Sequence, residues 1–212
     1  MIWVAEIGSN HKGVMAIAHE MIRQAALAGA DIAKFQFRDP DDPIRGLAIN
    51  NAGQLASWCD YYGIEFMASV FSFGALELAR KLGLSRLKIA NSVACHNPVL
   101  CDAIADGPEE VFVSHGDYNY SNWHRIFVVS RYPTYPDDVL IPKEFGDKWF
   151  GYSSHVHGYA DALIAVARGA RYVEKHVTLN KTERTIKDNA FSLSFDEFAQ
   201  MVSIGREMER LL

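Results

Sequence analysis

Apolar residues fall along the chain in short, nearly unbroken runs, separated by longer stretches in which they recur every three or four positions. The runs are residues 2–7, 32–37, 65–71, 86–90, 110–114, 126–130, 149–153 and 172–177. Unbroken runs this short predict strands buried on both faces, as in a parallel sheet, rather than half-exposed strands with strict alternation. The intervening stretches predict helices. Residues 14–27 end at Gly29, residues 73–82 follow the N-cap candidate Ser72 and stop at Gly83, and residues 159–168 stop at Gly169. The last helix opens with Ser194 and Glu197 in an S-x-x-E capping box. It then places Phe198, Met201, Val202, Gly205 and Met208 on one face.

Strands alternating with helices and no hairpin signals imply an α/β fold with a parallel sheet. Eight units, and no glycine-rich dinucleotide turn after the first strand, favour a closed (β/α)8 TIM barrel over an open doubly wound sheet. The chain has 212 residues, against about 250 for a typical barrel, so the barrel is compact. Residues 117–124 show where it is trimmed: they are too short and too rich in Tyr, Asn and Ser for a full helix after strand five. Nothing marks a linker, so residues 1–212 are read as a single barrel domain.

Composition narrows the function by exclusion. Hydrophobic residues make up 49% and charged residues 22%, the net charge is −5, and Lys and Arg are scattered. That gives no reason to expect nucleic acid or a membrane surface as partner. No apolar stretch is long enough to span a bilayer, and the N-terminus does not read as a secretory leader. Cys59, Cys95 and Cys101 form no CxxC pair and are expected as buried or half-buried free thiols in a reducing, cytoplasmic setting.

In this fold the reactive groups stand at the C-terminal ends of the strands. Those positions hold Glu6, Asn10 and His11 on strand one, Lys34 and Gln36 on two, Ser69 on three, and Lys88 and Asn91 on four. Ser114, Ser130, Ser153 with His155, and Glu174 with His176 complete the set on strands five to eight. Lysines inside buried strands are costly unless paired or functional. Lys34 and Lys88 with Ser69, Ser114, Ser130 and Ser153 would line a cationic, hydroxyl-rich pocket for a small phosphate and carboxylate dianion. The alternatives are salt bridges from the lysines to Glu6 or Glu174, and a Schiff base on one lysine. His155 and His176 end adjacent strands, a pattern that suits a divalent metal such as Mn²⁺, Zn²⁺, Fe²⁺ or Mg²⁺ acting as a Lewis acid. Glu6, Glu174 and Asp188 are carboxylates available for proton transfer or for orienting a hydroxyl, and Tyr132 is the tyrosine best placed to floor a sugar pocket.

At these residues the sequence resembles the sialic acid synthase family, enzymes that condense phosphoenolpyruvate with an N-acylated hexosamine. The matching stretches are AEIGSNHKG (5–13), AGADIAKFQ (28–36), GIEFMASVF (63–71), LKIANS (87–92), YPTYPDDV (132–139), GYSSHVHG (151–158), GARYVEKHVTL (169–179) and KDNAFSL (187–193). They occur in the family's order over nearly the whole chain. The resemblance implies phosphoenolpyruvate binding by Lys34, Ser69, Lys88, Asn91, Ser114, Ser130 and Ser153. It implies metal ligation by His155 and His176, with Mn²⁺ or Mg²⁺ as the ion, and contact with the amino sugar or its chemistry by Glu6, Tyr132 and Asp188. Three positions depart from the family pattern: Val93 replaces a glutamate that meets the acceptor sugar, Ser154 replaces the aspartate before the seventh-strand histidine, and Val70 replaces a proline. Family members also commonly carry a C-terminal antifreeze-like domain that caps a partner's sugar pocket across a dimer. The sequence ends at Leu212, and the expectation is a barrel without that cap. A homodimer, a separate capping protein, and a barrel that binds phosphoenolpyruvate or sugar without turnover are left open.

Overall fold

A computed structural model describes residues 1–114, 118, 120–131 and 134–211. Eight parallel strands close on themselves in chain order. They are β1 (Ile2–Glu6), β2 (Ile32–Phe37), β3 (Glu65–Val70), β4 (Arg86–Ile89), β5 (Glu110–Ser114), β6 (Trp123–Val128), β7 (Gly151–Ser154) and β8 (Tyr172–His176). The outer layer comprises α1 (Met15–Leu27), α2 (Leu47–Asn50), α3 (Ala52–Tyr62), α4 (Phe73–Lys81), α5 (Asn91–His96), α6 (Pro98–Ala105), α7 (Ala160–Ala167) and α8 (Phe195–Glu209). No helix among the described residues is long and apolar enough to cross a membrane.

The local signals read from the sequence act as expected. Ser72 accepts the Ala75 N–H at the start of α4, Gly83 takes a positive φ of 69° just past its end, and Ser194 and Glu197 exchange both capping hydrogen bonds at the start of α8. The structure adds four helices that the sequence reading did not draw: α2 and α3 between β2 and β3, and α5 and α6 between β4 and β5. The stripe of α3 is narrow, with only Ala52, Leu55 and Cys59 buried, so its periodicity is faint. Strand β6 begins three residues earlier than expected, because His124 and Arg125 lie within the ladder rather than in a loop.

The helix expected to be short after β5 is absent among the described residues, and only a one-turn 3₁₀ segment, Pro136–Asp138, lies between β6 and β7. Side chains from loops cover this flank instead. Tyr118 and Tyr120 pack on Trp123 with ring centroids 5.1 and 4.8 Å away, and the Tyr118 hydroxyl donates to the Ala94 carbonyl. Phe127, Ile141, Phe145 and Trp149 cluster with Tyr152 next to them.

Alternate residues of each strand point inward and form layers. At the N-terminal end Arg86 pairs with Glu65 and Glu110 at 2.6 Å each, and His124 with Glu110 at 2.8 Å. The middle is an apolar plug of Val4, Ile32, Met67, Phe112, Ile126 and Tyr172. Gly151 is required here: a Cβ at that position would sit 2.3 Å from the Tyr172 carbonyl oxygen and 2.5 Å from its Cβ. Above the plug, at the C-terminal end, the interior turns polar again.

Candidate functional site

The upper interior layer consists of Glu6, Lys34, Ser69, Lys88, Ser114, Ser153 and Glu174, all buried. Strand register produces it, since Glu6 pairs with Lys34 across β1–β2, Ser69 with Lys88 across β3–β4, and Ser153 with Glu174 across β7–β8. These side chains line a well of about 70 Å³ together with Asn91, Ser130, His155 and His176. The well opens into an outer mouth of about 650 Å³, with which it shares Gln36, Phe71, Asn91, Ser130 and His176. Asp188 lines the mouth, from the 3₁₀ segment Lys187–Phe191. Of the residues picked from the sequence, only Tyr132 lies outside the described residues.

The two lysines differ sharply. Lys34 is held between Glu6 and Glu174, the latter at 3.5 Å, and donates to Ser69 Oγ at 3.0 Å. Burial works to strip its proton, but Glu174 and Glu6 outweigh that and raise its pKa. Lys88 donates to Ser114 Oγ and to the Ile89 carbonyl, and no carboxylate lies within ion-pair distance of it among the described residues. Burial is the main cause that lowers its pKa to about 8. The salt-bridge alternative thus describes Lys34 and not Lys88. Glu174 completes the layer, accepting from Ser153 Oγ at 2.9 Å and from the Tyr172 hydroxyl. Burial would raise its pKa, yet Lys34 and Lys88 hold it well below the usual carboxylate range.

His155 and His176 stand side by side at the rim, with ring centroids 5.6 Å apart, and Phe191 meets both edge-on at 5.3 and 5.2 Å. The His155 Nδ1 lies 3.1 Å from the Val129 carbonyl, which can only accept, so that nitrogen carries the proton and Nε2 the lone pair. Burial first, and the neighbouring His176 second, lower the pKa of His155 to about 4, leaving a neutral imidazole at pH 7. The buried Nδ1 of His176 has no hydrogen-bond partner among the described residues. The His155 ring, with its Nε2 lone pair, and the adjacent His176 ring are donors of the type that fits a borderline divalent ion with open positions. Among the described residues no third His, Cys, Asp or Glu joins them in a group able to hold a metal.

Other expectations are corrected or completed. His11 is buried, accepts the Gly13 N–H at Nδ1 and stacks on Phe35, so it closes the loop after β1. Cys59 and Cys101 are buried, but Cys95 is exposed. Val93 is buried in the wall and lines neither cavity. The sequence reading named Gln36 at the end of strand two but gave it no role, although it donates to Glu6 Oε1 at 2.8 Å and lines both cavities. The inward parity of residues 32, 34 and 36 carried that signal. It also passed over Arg38, Arg45, His96 and Lys187, which line the mouth from a loop, α5 and the 3₁₀ segment.

A model described as the NeuB family matches residues 45–212. The human N-acetylneuraminate-9-phosphate synthase is 28% identical over 99% of this chain and 70% of its own length. The pseudaminic acid synthase of Campylobacter jejuni is 27% identical over 99% of this chain and 74% of its own. Among solved structures, the N-acetylneuraminic acid synthetase of Leptospira borgpetersenii, in complex with citrate, superposes with a TM-score of 0.84 at 27% identity. That match covers 98% of this chain and 83% of the other. With the family model spanning most of the chain, and these relatives aligned along nearly all of it, the protein belongs to the NeuB family.

Proposed function

We infer that this barrel condenses phosphoenolpyruvate with an N-acylhexosamine resembling N-acetylmannosamine, yielding a sialic-type nonulosonic acid and phosphate. The observation that carries the reading is Lys88: a buried ammonium with hydroxyl and carbonyl partners but, among the described residues, no carboxylate within ion-pair distance, at the floor of an open well. Such a group lacks only an anion. Phosphoenolpyruvate supplies phosphate and carboxylate oxygens for Lys88, Lys34 and the hydroxyls of Ser69, Ser114, Ser130 and Ser153, with the Asn91 amide beside them. Names of the relatives, which make sialic and pseudaminic acids, support this class of product.

His155 and His176 are the residues that would hold a divalent ion, Mn²⁺ or Mg²⁺, which when bound polarises the acceptor's carbonyl. The protein's own groups do the rest. Lys34 and Lys88 hold the donor's negative charge as the new C–C bond forms from its C3 to the aldehyde carbon. Water then adds at C2, and phosphate leaves with its oxygen. Glu6, held by Gln36 and Lys34, would orient the attacking water or take its proton. Asp188 and Tyr132 are assigned to the sugar side. The wide mouth takes the acceptor, in the cytoplasm, either unaided or covered by a second subunit or a separate capping protein.

The test is phosphate release from phosphoenolpyruvate with N-acetylmannosamine and Mn²⁺. Release should require all three and stop on chelation. No release with any N-acylhexosamine or simple aldose overturns the synthase reading for this chain.

A further inference from the structure

The outer wall of the barrel holds another buried lysine cluster, one that the proposed chemistry does not use. Lys175 follows the inward-facing Glu174 on β8, so its own side chain points to the helix layer, and it is wholly buried. Its ammonium donates to Ser154 Oγ at 2.9 Å and to the Val156 carbonyl at 2.6 Å. Ser154 Oγ also accepts the Val156 N–H at 3.2 Å, while its hydroxyl donates to Asp161 Oδ2 on α7. Tyr152 donates to the same carboxylate oxygen at 2.8 Å. Ammonium and carboxylate therefore communicate through one hydroxyl, which can donate and accept at once. No direct Lys175–Asp161 ion pair forms.

Packing alone does not call for a cation here, since a buried cation and its partners can often be replaced together by apolar groups of similar volume without loss of stability. The contacts point elsewhere. Ser154 and Val156 are the two chain neighbours of His155, and both are tied to Lys175. Lys175 itself is the residue before His176. One ammonium thus grips from behind the ends of both strands that carry the rim imidazoles. The carboxylate at the far side of the Ser154 hydroxyl is Asp161, from α7.

We propose that Lys175, acting through Ser154 and Asp161, is a positioning residue that sets the spacing and orientation of the His155 and His176 rings. The significance of those rings rests on the reading given under the proposed function, but their geometry can be tested without metal or turnover.

The experiment compares the histidine ring ¹⁵N and ¹H resonances of the metal-free wild type and of Lys175→Met. The signals of His155 and His176 should move, whereas those of His19 on α1 and His124 at the far end of the barrel should stay. A merely structural role would lower the melting temperature and leave the rim pair where it was. If Lys175→Met does not fold, Ser154→Ala removes the bridging hydroxyl and keeps the ammonium, and the same two signals should move. Mn²⁺ affinity should then fall at least tenfold, with phosphoenolpyruvate affinity in the absence of metal within twofold of wild type. Unmoved His155 and His176 signals in a folded variant overturn the proposal, whatever the metal does. A wild type that binds no Mn²⁺ while both signals still respond to the variants removes the metal reading and leaves the positioning role standing.

Discussion

The barrel interior carries charge at both ends, and the two ends are built to opposite rules. At the N-terminal end Arg86 is forked between Glu65 and Glu110, and His124 meets the other Glu110 oxygen. Both carboxylates there reach Arg86, and the network closes on itself. At the C-terminal end Glu6 and Glu174 are spent on Lys34, and Lys88 is left with a hydroxyl and a carbonyl. An apolar plug separates the two layers. Charge inside a barrel is therefore no mark of a site by itself; an ammonium left without an ion-pair partner and facing an opening is.

The largest test of that contrast is Lys88→Met. Turnover should fall by about three orders of magnitude, as when a group that holds transition-state charge is lost. Stability in urea should be unchanged or higher by about 1 kcal/mol, because a buried cation without a carboxylate is removed. Arg86→Met should do the reverse. It breaks a closed but partly exposed network, and about 1–2 kcal/mol of stability should disappear while kcat/KM stays within twofold. If both variants lose activity alike, the distinction between the two ends is wrong.

Titration sharpens the comparison. The folded value of Lys88, about 8, lies below its ordinary 10.5. Between those values the unfolded chain holds the extra proton, so the penalty this residue places on folding is complete below pH 8 and relieved as pH rises toward 10.5. Anion binding runs the other way: phosphoenolpyruvate affinity should fall roughly tenfold from pH 7.5 to 9.5. Calorimetry near pH 8.5 in two buffers of different ionisation enthalpy should register proton uptake on binding. The smallest effect is expected from Ser114→Ala, which removes one hydrogen bond to the Lys88 ammonium and should raise the phosphoenolpyruvate KM about fivefold.

The sequence disclosed the strands because burial on both faces leaves unbroken apolar runs, and it marked the candidate site because Lys34, Lys88 and His176 interrupt those runs and His155 follows one. Strand β6 was misplaced for the same reason inverted: His124 and Arg125 look like loop residues until Glu110 is seen across the ladder. Helix α3 left too thin a stripe to read. The difference between the two lysines was invisible, since register across β1, β2 and β8 decides which one the carboxylates reach. Lys175 stayed hidden for a related reason: within the EKH triplet, only the inward or outward parity of β8 separates a wall residue from its two interior neighbours.

The flank from β5 to β7 has one further consequence. Elsewhere a helix lies against the strands and must be lifted away before their backbone meets water; here tyrosines, tryptophans and a short 3₁₀ turn do that duty. Local breathing follows the weakest cover, so the amide hydrogens of β6 should trade with deuterium before those of β1 to β3. The barrel would open along a seam, and Ser130 and His155 hang from its upper edge.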